Sequence, residues 1–134
     1  HFLKEIQEYD IVIGSRTHRA TEIVTKQNIV KRTLGRIGNK VIKLFLALPL
    51  NDTQCGFKLF RGTTRELFRK QKIDRFGFDF ELLFLAHKKG YRIYESPVKW
   101  TNNFDTKVSA FSYVATLTEL MKIRVWHLLG KYQS

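Results

Sequence analysis

The residues of this 134-residue chain best suited to chemistry lie in a few short stretches. In Asp52-Thr-Gln-Cys-Gly-Phe-Lys-Leu-Phe60 a carboxylate, the amide of Gln54 and a glycine form a compact polar turn just before an apolar run, with Lys58 in that run. Asp52 could accept nearby backbone N–H groups as an Asx turn. It could also act at a strand edge, where the sites of α/β folds gather. Arg16 follows the apolar run Asp10-Ile-Val-Ile-Gly14, so a cation stands at the end of a buried strand, where it could meet a substrate phosphate. In Gly77-Phe-Asp-Phe-Glu81, Asp79 reads as a helix N-cap and Glu81 as a first-turn acid suited to the helix dipole. Both remain candidates for a supporting role. Lys107 lies in a polar loop. Cys55 has no histidine near it in sequence and reads as a small packed residue rather than a catalytic thiol.

The long stretch Gln27–Leu48 carries a second kind of signal. Val30, Leu34, Ile37, Val41, Leu44, Phe45 and Leu48 recur at three and four residues, which predicts an amphipathic helix. At about 100° per residue, Arg36, Lys40 and Lys43 fall within about 80° of Arg32, opposite the apolar set. The charge is therefore focused into a stripe. It is either a solvated helix face or a surface that holds phosphate or anionic lipid headgroups.

Other elements must position these residues. Phe2–Tyr9 reads as the end of a helix, Asp10–Gly14 and Gly56–Phe60 as strands, and Ser15–Lys26 as a polar loop. A short helix capped by Thr63 or Thr64 runs through Arg69, and another runs from Phe80 to Lys89, ended by Gly90. Tyr91–Tyr94 is a strand that Ser96–Trp100 continues past Pro97. Ala110–Leu129 is a last helix with Val114, Leu117, Met121, Val125 and Leu128 on one face. Strands alternating with helices predict an α/β layered domain. Three strands make it part of a larger sheet.

Composition bounds the partners. Lys and Arg number 24 against 12 Asp and Glu, a net charge of +12, which favours an anionic partner. The 43% apolar share argues against a disordered chain. A single cysteine excludes an internal disulfide framework and a zinc site built on paired cysteines. It fits a reducing, cytosolic setting. No apolar run approaches the roughly 20 residues of a membrane span, and no signal peptide is visible. The aromatic residues show no stacking pattern for single-stranded nucleic acid. No helix-turn-helix, RNP-like or zinc-finger pattern accompanies the charge, so nucleic acid is not an expected partner.

Taken in order, Asp10-Ile-Val-Ile-Gly-Ser-Arg16, the basic helix, Asp52-Thr-Gln-Cys-Gly-Phe-Lys-Leu-Phe60, Phe78-Asp-Phe-Glu81, Gly90-Tyr-Arg-Ile93, Glu95-Ser-Pro-Val-Lys-Trp100 and Lys107-Val108 resemble a known family. It is the polyprenyl-phosphate glycosyltransferases of family 2, the dolichyl-phosphate mannose and glucose synthase group, in their C-terminal half. The Asp52–Phe60 string is most similar to the glucosyl branch. The resemblance implies a GT-A, Rossmann-like α/β fold: a mixed sheet with flanking helices. Residues 1–134 would be the C-terminal, acceptor-side portion of one catalytic domain, with the N-terminal nucleotide-binding half absent and this portion alone inactive. It implies inverting transfer of a sugar, glucose favoured, from a nucleotide sugar such as UDP-glucose or GDP-mannose to a polyprenyl phosphate.

The same resemblance places that reaction at the cytosolic membrane face, on an anionic membrane surface, with the whole protein peripheral or anchored outside this stretch. It assigns Arg16 and Arg32 to the acceptor phosphate with Arg36 in support. Asp52 would orient the nucleophile or balance the arginines, and Lys107 would close on the donor diphosphate. This chain reads Asp105-Thr-Lys107 where the family has Gly-Ser-Lys. Mg²⁺ or Mn²⁺ is implied, with its ligands upstream and none in this stretch. Two alternatives stay open: a family 2 enzyme with a sugar-hydroxyl acceptor, for which Asp52 would be a general base, and a basic nucleic-acid-binding module.

Overall fold

The computed structural model describes residues 1–24, 28–101 and 110–133. Every residue of strand β1 (Ile11–Ser15) is buried, as befits an apolar run covered on both faces. It is the middle strand of a three-stranded mixed sheet. Strand β3 (Lys58–Phe60) pairs with it antiparallel, Ile13 opposite Lys58. Strand β4 (Ile93–Pro97) pairs with it parallel, Ile13 opposite Glu95 and Ser15 opposite Pro97. The mixed sheet with flanking helices agrees with the α/β expectation.

Two departures concern strands. The stretch read as a polar loop holds a two-residue strand, β2 (Glu22–Ile23), which pairs parallel with β5 (Lys99–Trp100). The segment after Pro97 is therefore not a continuation of β4 but turns into this separate ribbon. Thr21 ties the two sheets: its hydroxyl donates to the Ser15 carbonyl and accepts from the Val98 amide. A two-residue pairing made by tertiary contact leaves no hydrophobic alternation to read.

Helix α1 (Phe2–Glu5) precedes β1. Helix α2 (Ile29–Leu46) is capped by the Asn28 side chain, which accepts from the Val30 amide. Its C-cap is Ala47 at φ 51°, a left-handed position more often filled by glycine. Helix α3 (Arg65–Lys70) starts after Thr64, whose hydroxyl donates back to the Arg61 carbonyl instead of capping α3. Helix α4 (Phe78–Lys88) is buried from Phe80 to Ala86. A helix apolar all round is a core helix, and Ile11, Ile13, Leu46 and Leu67 share its cluster. Asp79 does not cap α4: the helix begins two residues earlier than expected, with Gly77 at the cap position and no side-chain cap.

Helix α5 (Ala110–Leu128) runs against α2. In both, most of the apolar face grouped by periodicity is left exposed, although Val41 is half-buried against the core and Leu48 is buried. Leu34, Ile37, Leu44, Val114, Met121 and Leu128 are open to solvent, while Ile42, Leu46, Leu120 and Ile123 are buried.

One glycine is fixed by packing. A Cβ on Gly14 would lie 2.7 Å from Val98 Cγ1 and 3.0 Å from Cys55 Sγ. Gly14→Ala should therefore strain the end of β1 and lower stability by about 1–3 kcal/mol. A fall in the urea midpoint checks this, and an unchanged midpoint contradicts it.

Candidate functional site

Arg16 leaves the buried end of β1, and Asp52 stands in the turn between α2 and β3. The two meet as a two-pronged pair. Asp52 Oδ2 accepts from Arg16 Nε at 2.7 Å and from the Arg16 backbone amide at 2.9 Å. Oδ1 accepts from Nη2 at 3.0 Å and from the Gln54 amide at 3.2 Å. The Asp52 side chain is 2% exposed and that of Arg16 35% exposed. The guanidinium carbon also lies 5.3 Å from the centre of the Trp100 ring, a cation–π distance. Arg16 is thus clamped by a carboxylate and an aromatic ring. Among the described residues nothing accepts from its Nη1 edge, which carries two N–H donors.

Burial pushes the Asp52 carboxyl up, but the hydrogen bonds and charge of Arg16 and the amides of Arg16 and Gln54 outweigh it. The group is held below its ordinary value. Asp52, through its hydrogen bonds, in turn raises the Arg16 guanidinium, against the lowering effect of burial. A carboxylate with a depressed folded pKa stabilises the fold above its unfolded pKa of about 4. That contribution is lost as pH falls through the folded value. Asp52→Asn should remove this part of the acid limb: the stability difference between wild type and variant should shrink steadily below about pH 4. Urea midpoints taken from pH 7 downward test it, and a difference that stays constant would refute it.

The other sequence candidates divide. Arg32, Arg36 and Lys40 lie on an exposed length of α2, and no described hydrogen bond or ion pair joins Arg32 or Arg36 to the Arg16–Asp52 pair. The orientation of the stripe is nevertheless set. Asn39 falls within about 20° of Arg32 around the helix. Its amide bonds Thr53 and Asn51, the neighbours of Asp52. The stripe therefore rises from the side of the helix that faces the Asp52 turn. Gln54 contributes its backbone amide, while its side chain is exposed. Lys58 pairs with Asp79 at 2.9 Å and also donates to the Cys55 carbonyl. Both charges of that pair thus serve to join β3 to α4.

Glu81 is not at a surface. It is wholly buried and accepts from the Lys72 and Ile73 amides and the Tyr132 hydroxyl, so it cannot touch a substrate. Lys107 lies outside the described residues. Sequence reading missed Asn39, Glu95 and Trp100. Only Glu95 and Trp100 carried a signal, as the two ends of the Glu95–Trp100 motif.

Among the described residues no three of His, Cys, Asp and Glu converge as a metal site. The divalent cation implied by the resemblance finds no donor set in them. No helix among them is long and apolar enough to cross a membrane.

No protein-family model matches the chain, and no solved structure matches it. Curated proteins do. The chain is 34% identical over 131 residues to the dolichyl-phosphate beta-glucosyltransferase of Drosophila melanogaster, covering 96% of this chain and 40% of the relative. The Dictyostelium discoideum protein of the same name is 35% identical over 129 residues, covering 94% and 39%. The human one is 34% identical over 126 residues, covering 92% and 39%. The chain is homologous to the dolichyl-phosphate beta-glucosyltransferases. It spans about two fifths of the length of these relatives. Homology to dolichyl-phosphate beta-glucosyltransferases makes it a glycosyltransferase relative, and its mixed sheet with flanking helices is consistent with a GT-A-like fold. The nucleic-acid alternative is not favoured.

Proposed function

We propose that the whole protein transfers glucose from a nucleotide sugar to dolichyl phosphate, and that residues 1–134 form the acceptor side of its catalytic domain. The observation that carries this reading is the state of Asp52. A general base works best with a pKa near the working pH. Asp52 is instead engaged through both oxygens and held below its ordinary value. It suits a reaction that needs no base. A phosphate monoester is such an acceptor, since it is already ionised near neutral pH.

In this reading Arg16 holds the acceptor phosphate with its Nη1 edge, while Asp52 and Trp100 keep the guanidinium from turning away. The task is positioning, in which one charged fork fixes an oxygen in line with the anomeric carbon. A phosphate oxygen forms the new bond to that carbon. The bond from the same carbon to the nucleoside diphosphate breaks, and its electron pair leaves with the diphosphate. Configuration inverts, and no proton has to move. Arg32 and Arg36 supply positive potential above the pair. Lys107 is assigned to the donor diphosphate by resemblance alone. The divalent cation would offset charge on the leaving diphosphate, and its ligands belong to the donor side.

The exposed apolar residues of α2 and α5, on a chain of net charge +12, support peripheral docking on an anionic membrane. Ile37 and Leu44 on α2 and Met121 and Leu128 on α5 are solvent-open. Apolar area plus basic charge is the pairing that binds such a surface.

The test uses the full-length protein with Mg²⁺ or Mn²⁺, dolichyl phosphate, and UDP-glucose or GDP-mannose in turn. Mass spectrometry of the organic phase reads the product. Dolichyl phosphate glucose from UDP-glucose is the expected result. Sugar nucleotide bound without lipid product would overturn the acceptor assignment.

A further inference from the structure

The Asp52 turn is suspended between two side chains that come from distant parts of the chain. From α2, Asn39 Oδ1 accepts from the Thr53 amide at 3.1 Å and the Thr53 hydroxyl at 2.8 Å. Its Nδ2 donates to the Asn51 carbonyl. These partners fix the amide's orientation, because a flipped amide would set a donor against the Thr53 N–H. From β4, the Glu95 carboxylate accepts from the Asn51 amide at 2.9 Å, from Asn51 Nδ2 at 3.0 Å and from the Asp52 amide at 2.9 Å. Thr53 is wholly buried. Glu95 faces Ile13 in the β1–β4 register, so the strand that leads into Arg16 and the strand that carries Glu95 are one scaffold. Asp52 is referenced to that scaffold through Glu95, and the basic helix is referenced to Asp52 through Asn39.

We propose that Asn39 is a positioning residue: opposite Glu95 it holds the Asn51–Thr53 turn, sets Asp52 against Arg16, and ties the basic stripe of α2 to that pair. The consequence for catalysis rests on the acceptor-phosphate reading above. The clamp itself does not. One residue then couples two groups of cations that must act on one phosphate. A displacement of about 1 Å in such a site costs on the order of 100-fold in rate. Loss of the clamp should therefore weaken engagement of the acceptor phosphate and leave binding of the nucleotide sugar alone.

The test compares full-length wild type, Asn39→Leu and Asn39→Asp. Hydrogen exchange followed by mass spectrometry reads the peptide over residues 48–56. Steady-state kinetics reads KM for dolichyl phosphate and for the nucleotide sugar separately. Asn39→Leu removes all three bonds. Its 48–56 peptide should exchange at least about tenfold faster while peptides from β1 and α4 hold their rates, and KM for dolichyl phosphate should rise about tenfold or more. KM for the nucleotide sugar should stay within about twofold, as expected for uniform loss on the acceptor side only. Asn39→Asp keeps both bonds from Thr53 but sets a carboxylate oxygen against the Asn51 carbonyl, so it should recover only part of the exchange protection and the acceptor KM. Unchanged exchange in both variants overturns the clamp. Faster exchange with an unchanged acceptor KM, or with both KM values raised alike, overturns its role in positioning. A wild-type protein that glycosylates no lipid phosphate sinks the functional reading instead, and the exchange rates then decide the clamp alone.

Discussion

Replacing Arg16 with alanine in the full-length protein is expected to lower transfer to dolichyl phosphate by about 10²–10³-fold, the usual cost of removing one preorganised electrostatic contact from an active site. Two effects add. The acceptor loses the fork that positions its phosphate, and Asp52 loses the partner that holds it ionised. With a side chain 2% exposed, Asp52 would then keep only the backbone amides of residues 16 and 54 as partners, and its pKa should rise, since burial is the largest single influence on it and the opposing guanidinium is gone. Arg16→Lys should recover only part of the rate, because an ammonium cannot span both oxygens of Asp52 and also present a free edge. Asp52→Asn should be the milder change, as the amide still accepts one bond from the guanidinium. The reverse order would argue for another chemistry. If Asp52→Asn abolishes turnover and Arg16→Ala does not, Asp52 is a general base and the acceptor is a hydroxyl. Initial rates for the three variants at saturating nucleotide sugar make the comparison.

Glu81→Ala is expected to have the largest effect on folding. Three donors converge on this buried carboxylate: the Lys72 amide at 3.0 Å, the Ile73 amide at 2.9 Å and the Tyr132 hydroxyl at 2.7 Å. Each buried donor left without a partner costs about 1–3 kcal/mol. The loss should therefore reach about 3 kcal/mol or more, a large part of the roughly 5–15 kcal/mol that holds a domain together. Tyr132→Phe removes one donor along with one bond and should be much milder. The Tyr132 hydroxyl is raised above the ordinary tyrosine value, by burial first and by Glu81 second, as expected of a phenol facing a carboxylate. Urea unfolding separates the variants. Glu81→Ala with a wild-type midpoint would contradict the assignment. Kinetics of whatever protein remains folded should be near normal, since Glu81 is walled off from any substrate.

The site was legible in the sequence where chemistry follows from order along the chain. Arg16 after an apolar run and Asp52 before one were both recognisable as polar residues at strand ends. The basic stripe on α2 followed from helical phase. Asn39 was not legible, because an asparagine inside a basic helix has no local mark: its partners are 12 and 14 residues away. Glu95 stood in a motif, but its role was hidden for the same reason, its bonds spanning 43 and 44 positions. Asp79 and Glu81 misled in a related way. Acids in the first turn of a helix suit the dipole whatever else they do. Only packing shows that one bridges to Lys58 and the other ties the core to Tyr132.

By itself the sequence determined the local elements, the charge stripe and the ordered motifs by which the chain resembles its homologues. These depend on side-chain periodicity, capping and turn residues, all of which act within a few positions. The tertiary structure alone decided which faces of α2 and α5 are buried, that the segment after Pro97 leaves the main sheet, and that Asp52 hangs between a helix and a strand. Both helices carry apolar residues on more than one side, so their own pattern permits several docking faces. Burial against α4 and the sheet selects one. The bonds that aim Arg16 and Asp52 at each other close loops of tens of residues, and their partners exist only once the core has formed.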